Sequence, residues 1–136
     1  MKVIDGDTFK AAIFLNGIKN RFTFRIDSLD CPETRKGDVK EFGKLVKEIV
    51  TDMIADKVVK IEAGSFDKYG RVLSRIYTYS RGKEICLNDF LLDNDMAKPY
   101  LGKSKTEFTV TDFENFMEKY DRQTQWPKTV DYPLIE

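Results

Sequence analysis

From Arg21 to Ile26 the chain alternates strictly. Phe22, Phe24 and Ile26 fall on one side and Arg21, Thr23 and Arg25 on the other, the period-two pattern of a half-buried strand. Two turn signals precede it, Asp5-Gly6 and Asn16-Gly17, so the first third is predicted to be three strands joined by tight turns. The period then changes. Over residues 39–56, Phe42, Leu45, Val46, Ile49, Val50, Met53 and Ile54 form one apolar stripe with Lys44, Lys47, Glu48 and Asp52 opposite it. That is an amphipathic helix, with Asp38 as its expected N-cap. Strands are predicted over 57–64 and 71–80, the second closed by a turn at "SRGK". A short helix follows in "NDFLLDND", whose end at Asn94-Asp95 suits a left-handed cap. The last helix is expected over 111–125, with Phe113, Phe116, Met117 and Tyr120 on one stripe and Pro127 as its stop.

The order β-β-β-α-β-β-α-α contains no repeat. Five short strands with a helix after the third predict an α+β, mainly β domain: a small OB-fold Greek-key barrel flanked by three helices. A chain of 136 residues holds one such domain, expected over 1–126, with a loosely attached tail over 127–136.

Composition narrows the chemistry. The chain has no histidine, which removes the commonest general base, the commonest zinc ligand and any Ser-His-Asp or Cys-His mechanism. Acid–base work would fall to Asp, Glu, Lys or Tyr, and a metal would be a hard cation held by oxygen. The two cysteines, Cys31 and Cys86, make neither a zinc pattern nor a disulfide framework; two free thiols are the simpler expectation. Basic side chains outnumber acidic ones by four in residues 1–106, and the reverse holds in 107–136. Any polyanion is therefore expected to bind locally. No apolar run reaches the roughly 18 residues of a membrane span, and "MKVIDGDTFK" is not patterned as a signal peptide. A soluble protein of unassigned compartment is the expectation.

Three short motifs carry candidate chemistry. In "DGDT", Asp7 enters a strand and offers a carboxylate to a hard cation, although the same residues serve any hairpin. In "RIDSLDCPE", Asp30 and Glu33 follow the strand bearing Arg25. Pro32 holds Cys31 extended, so that its backbone oxygen suits Ca²⁺; an ordinary solvated loop is the alternative. In "DKYGR", a turn at Tyr69-Gly70 delivers Arg71 to a strand, either as an exposed arginine or as a forked donor for phosphate. Together they supply two Asp for a metal, one Glu for a water and two Arg for a phosphodiester.

With these motifs the chain resembles the staphylococcal-nuclease-like (thermonuclease) family, from "VIDGDTFK" through "FRIDSLDCPE", "FDKYGRVLSRIY" and "ICLNDFLLDNDMAKPY" to Trp126. The resemblance implies a Ca²⁺-dependent endonuclease that hydrolyses single-stranded DNA, and RNA, with little sequence preference. It implies Asp7, Asp30 and the Cys31 carbonyl as calcium ligands and Asp5 as an aspartate that orders a metal-bound water. Glu33 would activate or position the attacking water, and Arg25 and Arg71 would grip the phosphate. Lys68 and Tyr69 match positions that contact a terminal nucleotide phosphate, and Tyr100 one that lies beside the base. A monomer without a membrane or obligate protein partner is implied.

The chain departs from the family in several places. Cys31 stands where a threonine is common, and Asp95 where a glycine is. The loop after Glu33 is shorter, the last helix is acidic, and the chain starts only a few residues before "DGDT". A catalytically silent nucleic-acid or peptide-binding module on the same fold is the alternative, but both Arg, both Asp and the Glu are present. A plain OB-type interaction domain would leave those five residues unexplained.

Overall fold

A computed structural model describes residues 1–35, 37–101 and 107–122, the last two as backbone. The first ladder arises from the alternation. Strand β1 (Lys2–Asp5) turns at Gly6-Asp7 into β2 (Thr8–Leu15), which turns at Asn16-Gly17 into β3 (Ile18–Ile26). The second turn has the positive φ at both central residues, 53° and 79°, that a two-residue hairpin requires. The first owes its glycine to space instead. A Cβ on Gly6 would lie 2.7 Å from Val46 and 3.1 Å from Cys31, so the turn rests directly on the helix and loop beneath it.

After the two-residue strand β4 (Leu29–Asp30), helix α1 runs Lys40–Ile54 and buries the predicted stripe. Its N-cap is Val39 rather than Asp38, with no side-chain cap. The Lys40 amide instead donates to Gly37 O at 3.3 Å, a backbone turn that does the work expected of the aspartate. Strand β5 is Lys60–Phe66 and β6 is Val72–Ser80. The "SRGK" turn does not end the sheet. Arg81 and Gly82 both have positive φ and return the chain as a further strand, β7 (Lys83–Cys86), paired to β6. Helix α2 (Leu87–Asp93) follows, and Asp95, at φ 62°, takes the left-handed conformation expected there. Strand β8 (Lys98–Pro99) pairs with β4, and helix α3 spans Val110–Arg122. The predicted continuation over 123–125, the stop at Pro127 and the tail lie outside the described residues.

The sheet order is β1-β2-β3-β6-β5, with β7 attached to β6. Five strands thus form the main path, as expected for an OB-type α+β fold, and the short strands β4, β7 and β8 come in addition to the expected set. Every pairing in that sheet is antiparallel except β3 with β6. Phe9 and Phe24 stack at 5.3 Å on the inner face. Phe42 of α1 stacks on Phe113 and Phe116 of α3 at 5.1 and 5.2 Å. Both cysteines are free thiols. No helix among the described residues is long and apolar enough to cross a membrane.

The parallel β3–β6 ladder is the junction that positions the charged residues of the two motifs. It aligns Phe24 with Val72 and Arg25 with Leu73, which sets Arg25 on β3 beside Arg71, the residue just before β6. Asn88, buried in α2, ties the junction down. Its Nδ2 donates to Asp27 O and Ser74 O at 3.2 and 3.1 Å, and its Oδ1 accepts from the Ile76 amide at 3.1 Å.

Candidate active site

The ten residues singled out from the sequence line one cleft of about 240 Å³: Asp5, Asp7, Arg25, Asp30, Cys31, Glu33, Lys68, Tyr69, Arg71 and Tyr100, joined by Thr8 and Pro32. They arrive from four places: the β1–β2 turn, the end of β3 with β4 and its following loop, the β5–β6 turn, and the residue after β8. The last is held by the two-residue β4–β8 ladder and by the Tyr100 amide donating to Ser28 O at 2.9 Å. A neighbouring groove of about 470 Å³ shares Arg25, Lys68, Tyr69, Arg71 and Tyr100 and continues over Asp27, Ser28 and Leu101.

Arg25 is the buried centre, 6% exposed. Its Nη2 donates to Asp30 Oδ1, and its Nη1 lies 3.4 Å from Asp7 Oδ2 without a hydrogen bond among the described residues. Burial opposes the charge on Arg25, but Asp7, Asp30 and the Asp30 hydrogen bond outweigh it and raise its pKa above the ordinary value. The guanidinium also lies 5.8 Å from the centre of the Tyr100 ring. Asp7 is fixed on both oxygens, accepting from Thr8 Oγ1 at 3.0 Å and from the Cys31 amide at 2.9 Å. Asp5 accepts from Thr34 Oγ1 at 2.7 Å. The Cys31 thiol is pushed well up, first by burial and then by the charge of Asp7.

Arg71 is held differently. Asp67 Oδ1 accepts from the Tyr69 and Arg71 amides at 2.8 and 2.9 Å, and Oδ2 accepts from Arg71 Nε at 2.7 Å. Burial pushes the Asp67 carboxyl up, but these hydrogen bonds and the Arg71 charge hold it below the usual carboxylate range. Both Nη groups of Arg71 stay clear of protein acceptors among the described residues. The guanidinium carbon and Lys68 Nζ lie 5.2 and 5.3 Å from the centre of the Tyr69 ring. Glu33 is exposed at the rim.

Several positioning residues were not singled out from the sequence. Asp67 had a readable signal, because an aspartate two residues before an amide in a Gly-bearing turn forms an Asx-turn. Thr8 and Thr34, which orient Asp7 and Asp5, had none. Gly43 of α1 had none either. A Cβ there would lie 2.0 Å from Glu33 O and 2.8 Å from Pro32 O, so the loop carrying Glu33 lies directly on the helix backbone.

Among the described residues no three His, Cys, Asp or Glu side chains converge as a metal-holding group. The donor set nevertheless fits a hard cation. Asp7 and Asp30 both lie against the Arg25 guanidinium, and Cys31 bonds Asp7 through its amide N–H, beside the carbonyl. All three donors are oxygen, as Ca²⁺ requires.

The family model described as staphylococcal nuclease homologue matches residues 23–125. That span includes Arg25, Asp30, Glu33, Arg71 and Tyr100 and begins after Asp5 and Asp7. A protein of Escherichia coli named "Uncharacterized endonuclease" is 25% identical over 77 residues, covering 57% of this chain and 45% of that protein. The matched region is thus less than half the length of that relative.

Proposed function

This chain belongs to the staphylococcal nuclease homologues, and from that premise we propose that it is a Ca²⁺-dependent nuclease hydrolysing phosphodiester bonds of DNA, preferably single-stranded, and of RNA. The observation that carries the proposal is the meeting of Arg25, Arg71, Glu33, Asp7 and Asp30 in one cleft of about 240 Å³.

The arginines divide the work on the phosphate. Arg71, anchored through Nε, offers two Nη groups to phosphate oxygens in a fixed orientation. Arg25 supplies buried positive charge beside the same cleft, where low dielectric strengthens its pull on the charge that develops in the transition state. Removing one such contact is worth about 3 kcal/mol, or ~10²-fold in rate. Glu33, at the water-exposed rim, orients or deprotonates the water for in-line attack. Asp7, Asp30 and the Cys31 carbonyl would hold Ca²⁺, which when bound polarises a phosphate oxygen. Asp5 orders water next to them. Lys68 and Tyr69 contact a terminal phosphate, and Tyr100 offers a face on which any base can stack. The protein acts as a monomer in this proposal.

The test is cleavage of single-stranded DNA in Ca²⁺ and in excess chelator, with Glu33→Ala as control. Cleavage that requires both Ca²⁺ and Glu33 is expected. Cleavage unaffected by Glu33→Ala refutes the site. DNA that binds without being cut makes the domain a silent binding module.

A further inference from the structure

Beyond Arg25 and Thr8, the outer face of the β2–β3 hairpin plays no part in the proposed phosphodiester chemistry, yet its make-up is one-sided. Between Asp7 and Asp27 the chain has no acidic residue. In the ladders Lys10 pairs with Lys2 and with Thr23, Ala12 with Arg21, Phe14 with Lys19, and Thr8 with Arg25. Cross-strand partners share a face and successive residues alternate. Lys2, Lys10, Lys19, Arg21 and Phe14 therefore leave the sheet on the same side as Arg25. The other side carries Phe9, Ala11, Ile13, Phe22 and Phe24, which pack into the core. The four cations are exposed, and no carboxylate pairs with them among the described residues. Phe14 ends the row at 70% exposed.

We propose that this face is the track for the polynucleotide strand flanking the scissile phosphate, with Lys10, Lys19, Arg21 and Lys2 on its phosphates and Phe14 as a stacking platform. The proposal rests on the nuclease reading of the Arg25 cleft and extends that site along the sheet. From Arg25 to Lys19 along β3 is about 20 Å at the strand rise. That reach covers several nucleotides of a single strand, in keeping with site sizes of ~4–16 nucleotides on such folds. Two observations select a polynucleotide. The row is continuous with the cleft through Arg25, and its cations line both strands of the hairpin rather than gathering at its apolar tip (Phe14, Leu15, Ile18), where a lipid surface would need them. An uncompensated basic row with an aromatic end is what a sequence-tolerant single-strand site requires.

The test compares the wild type with K10Q/K19Q/R21Q and with Phe14→Ala. Binding of an oligodeoxythymidylate long enough to cover cleft and hairpin is titrated against salt in chelator, and cleavage of that strand and of a thymidine dinucleotide is measured in Ca²⁺. The thermal midpoint of each variant checks folding. In the triple variant the log–log salt slope is expected to become shallower by about 2, and long-strand affinity to fall about tenfold or more at low salt. Its loss of kcat/KM on the long strand is expected to far exceed its loss on the dinucleotide. Phe14→Ala is expected to weaken long-strand binding about fivefold or more. Long-strand affinity and slope equal to wild type would overturn the track. So would unaltered DNA binding alongside wild-type binding to phosphatidylserine vesicles that Phe14→Ala abolishes. If no form cleaves either substrate, the nuclease reading fails while the salt slope still decides the track.

Discussion

Gly43→Ala sets two physical effects against each other. Gly43 lies inside α1, where alanine is the better helix former by about 1 kcal/mol. On propensity alone the variant should be more stable and equally active. The structure predicts otherwise. The new methyl carbon would stand 2.0 Å from Glu33 O and 2.5 Å from Glu33 C. Ordinary contact begins at 3.4 Å, so the Glu33 backbone must retreat by about 1.4 Å or the helix must shift by as much. Both neighbours are backbone, so no rotamer change relieves the clash. Forced overpacking costs about 1–3 kcal/mol, which cancels the propensity gain and leaves a net destabilisation of about 1 kcal/mol.

The larger effect falls on the chemistry. A displacement of about 1 Å in a positioned catalytic group costs ~10²-fold in rate, about 2.7 kcal/mol of activation free energy. Gly43→Ala should therefore keep its fold and lose kcat by roughly two orders of magnitude. Urea denaturation gives the stability, and steady-state cleavage of single-stranded DNA gives the rate. Lys44→Ala, at the exposed neighbouring position, is the control for helix propensity. A Gly43→Ala protein stabilised by about 1 kcal/mol and cleaving at the wild-type rate would refute the reasoning.

The two arginines should separate in the same assays. Arg25→Ala removes the buried positive charge that faces Asp7 and Asp30 and should lose about 3–5 kcal/mol of stability as well as activity. Arg71→Ala, whose pair with Asp67 is partly exposed, should lose at most about 1 kcal/mol while dropping ~10²-fold or more in rate. Equal urea midpoints for the two variants would contradict this. The depressed Asp67 carboxyl contributes stability that is fully present above the unfolded pKa of about 3.9 and is lost as pH falls through its lower folded value. Asp67→Asn should therefore be less stable than wild type at neutral pH and lose less on acidification. Parallel stability–pH curves below about pH 4 would rule that out. In the folded protein a thiol reagent should modify Cys86 first and leave Cys31 protected by burial and by its raised pKa; peptide mapping after one equivalent distinguishes the two.

What was legible in the sequence is what has a period or a turn signature. The β3 alternation, the α1 stripe and the paired positive-φ turn at Asn16-Gly17 each repeat a local rule, and each is found where expected. What was hidden depends on contacts between distant segments. The β4–β8 ladder is two residues long on each side, too short to show alternation, yet it brings Tyr100 beside Arg25. Strand β7 was hidden by "SRGK", which reads equally well as the end of a sheet and as the hairpin turn it is. The absent Asp38 cap has a local cause instead, since the bond from the Lys40 amide to Gly37 O three residues back made a side chain unnecessary.

The same distinction runs through the cleft. Residue types that do chemistry stand out in a sequence because few other roles need an Arg, an Asp and a Glu within one strand-end loop. Residues that hold them do not stand out, because threonine, glycine and asparagine serve everywhere. Thr8 and Thr34 each act by one short hydrogen bond, Asn88 by three to groups far along the chain, and Gly43 by the close approach of the Glu33 backbone. The alternation in β3 joins the two classes. A strand that must bury Phe22, Phe24 and Ile26 has no choice but to turn Arg21, Thr23 and Arg25 outward. At the sheet's middle, beside β6, outward means under the loop after β4, and there Arg25 is buried against two carboxylates. At the hairpin end, outward means solvent, and there Arg21 and Lys19 have no carboxylate partner among the described residues. One period-two pattern thus produces both a desolvated arginine suited to charge stabilisation and an exposed basic row suited to a polyanion. The face of β2 and β3 that closes the core is the reason the other face is free to bind.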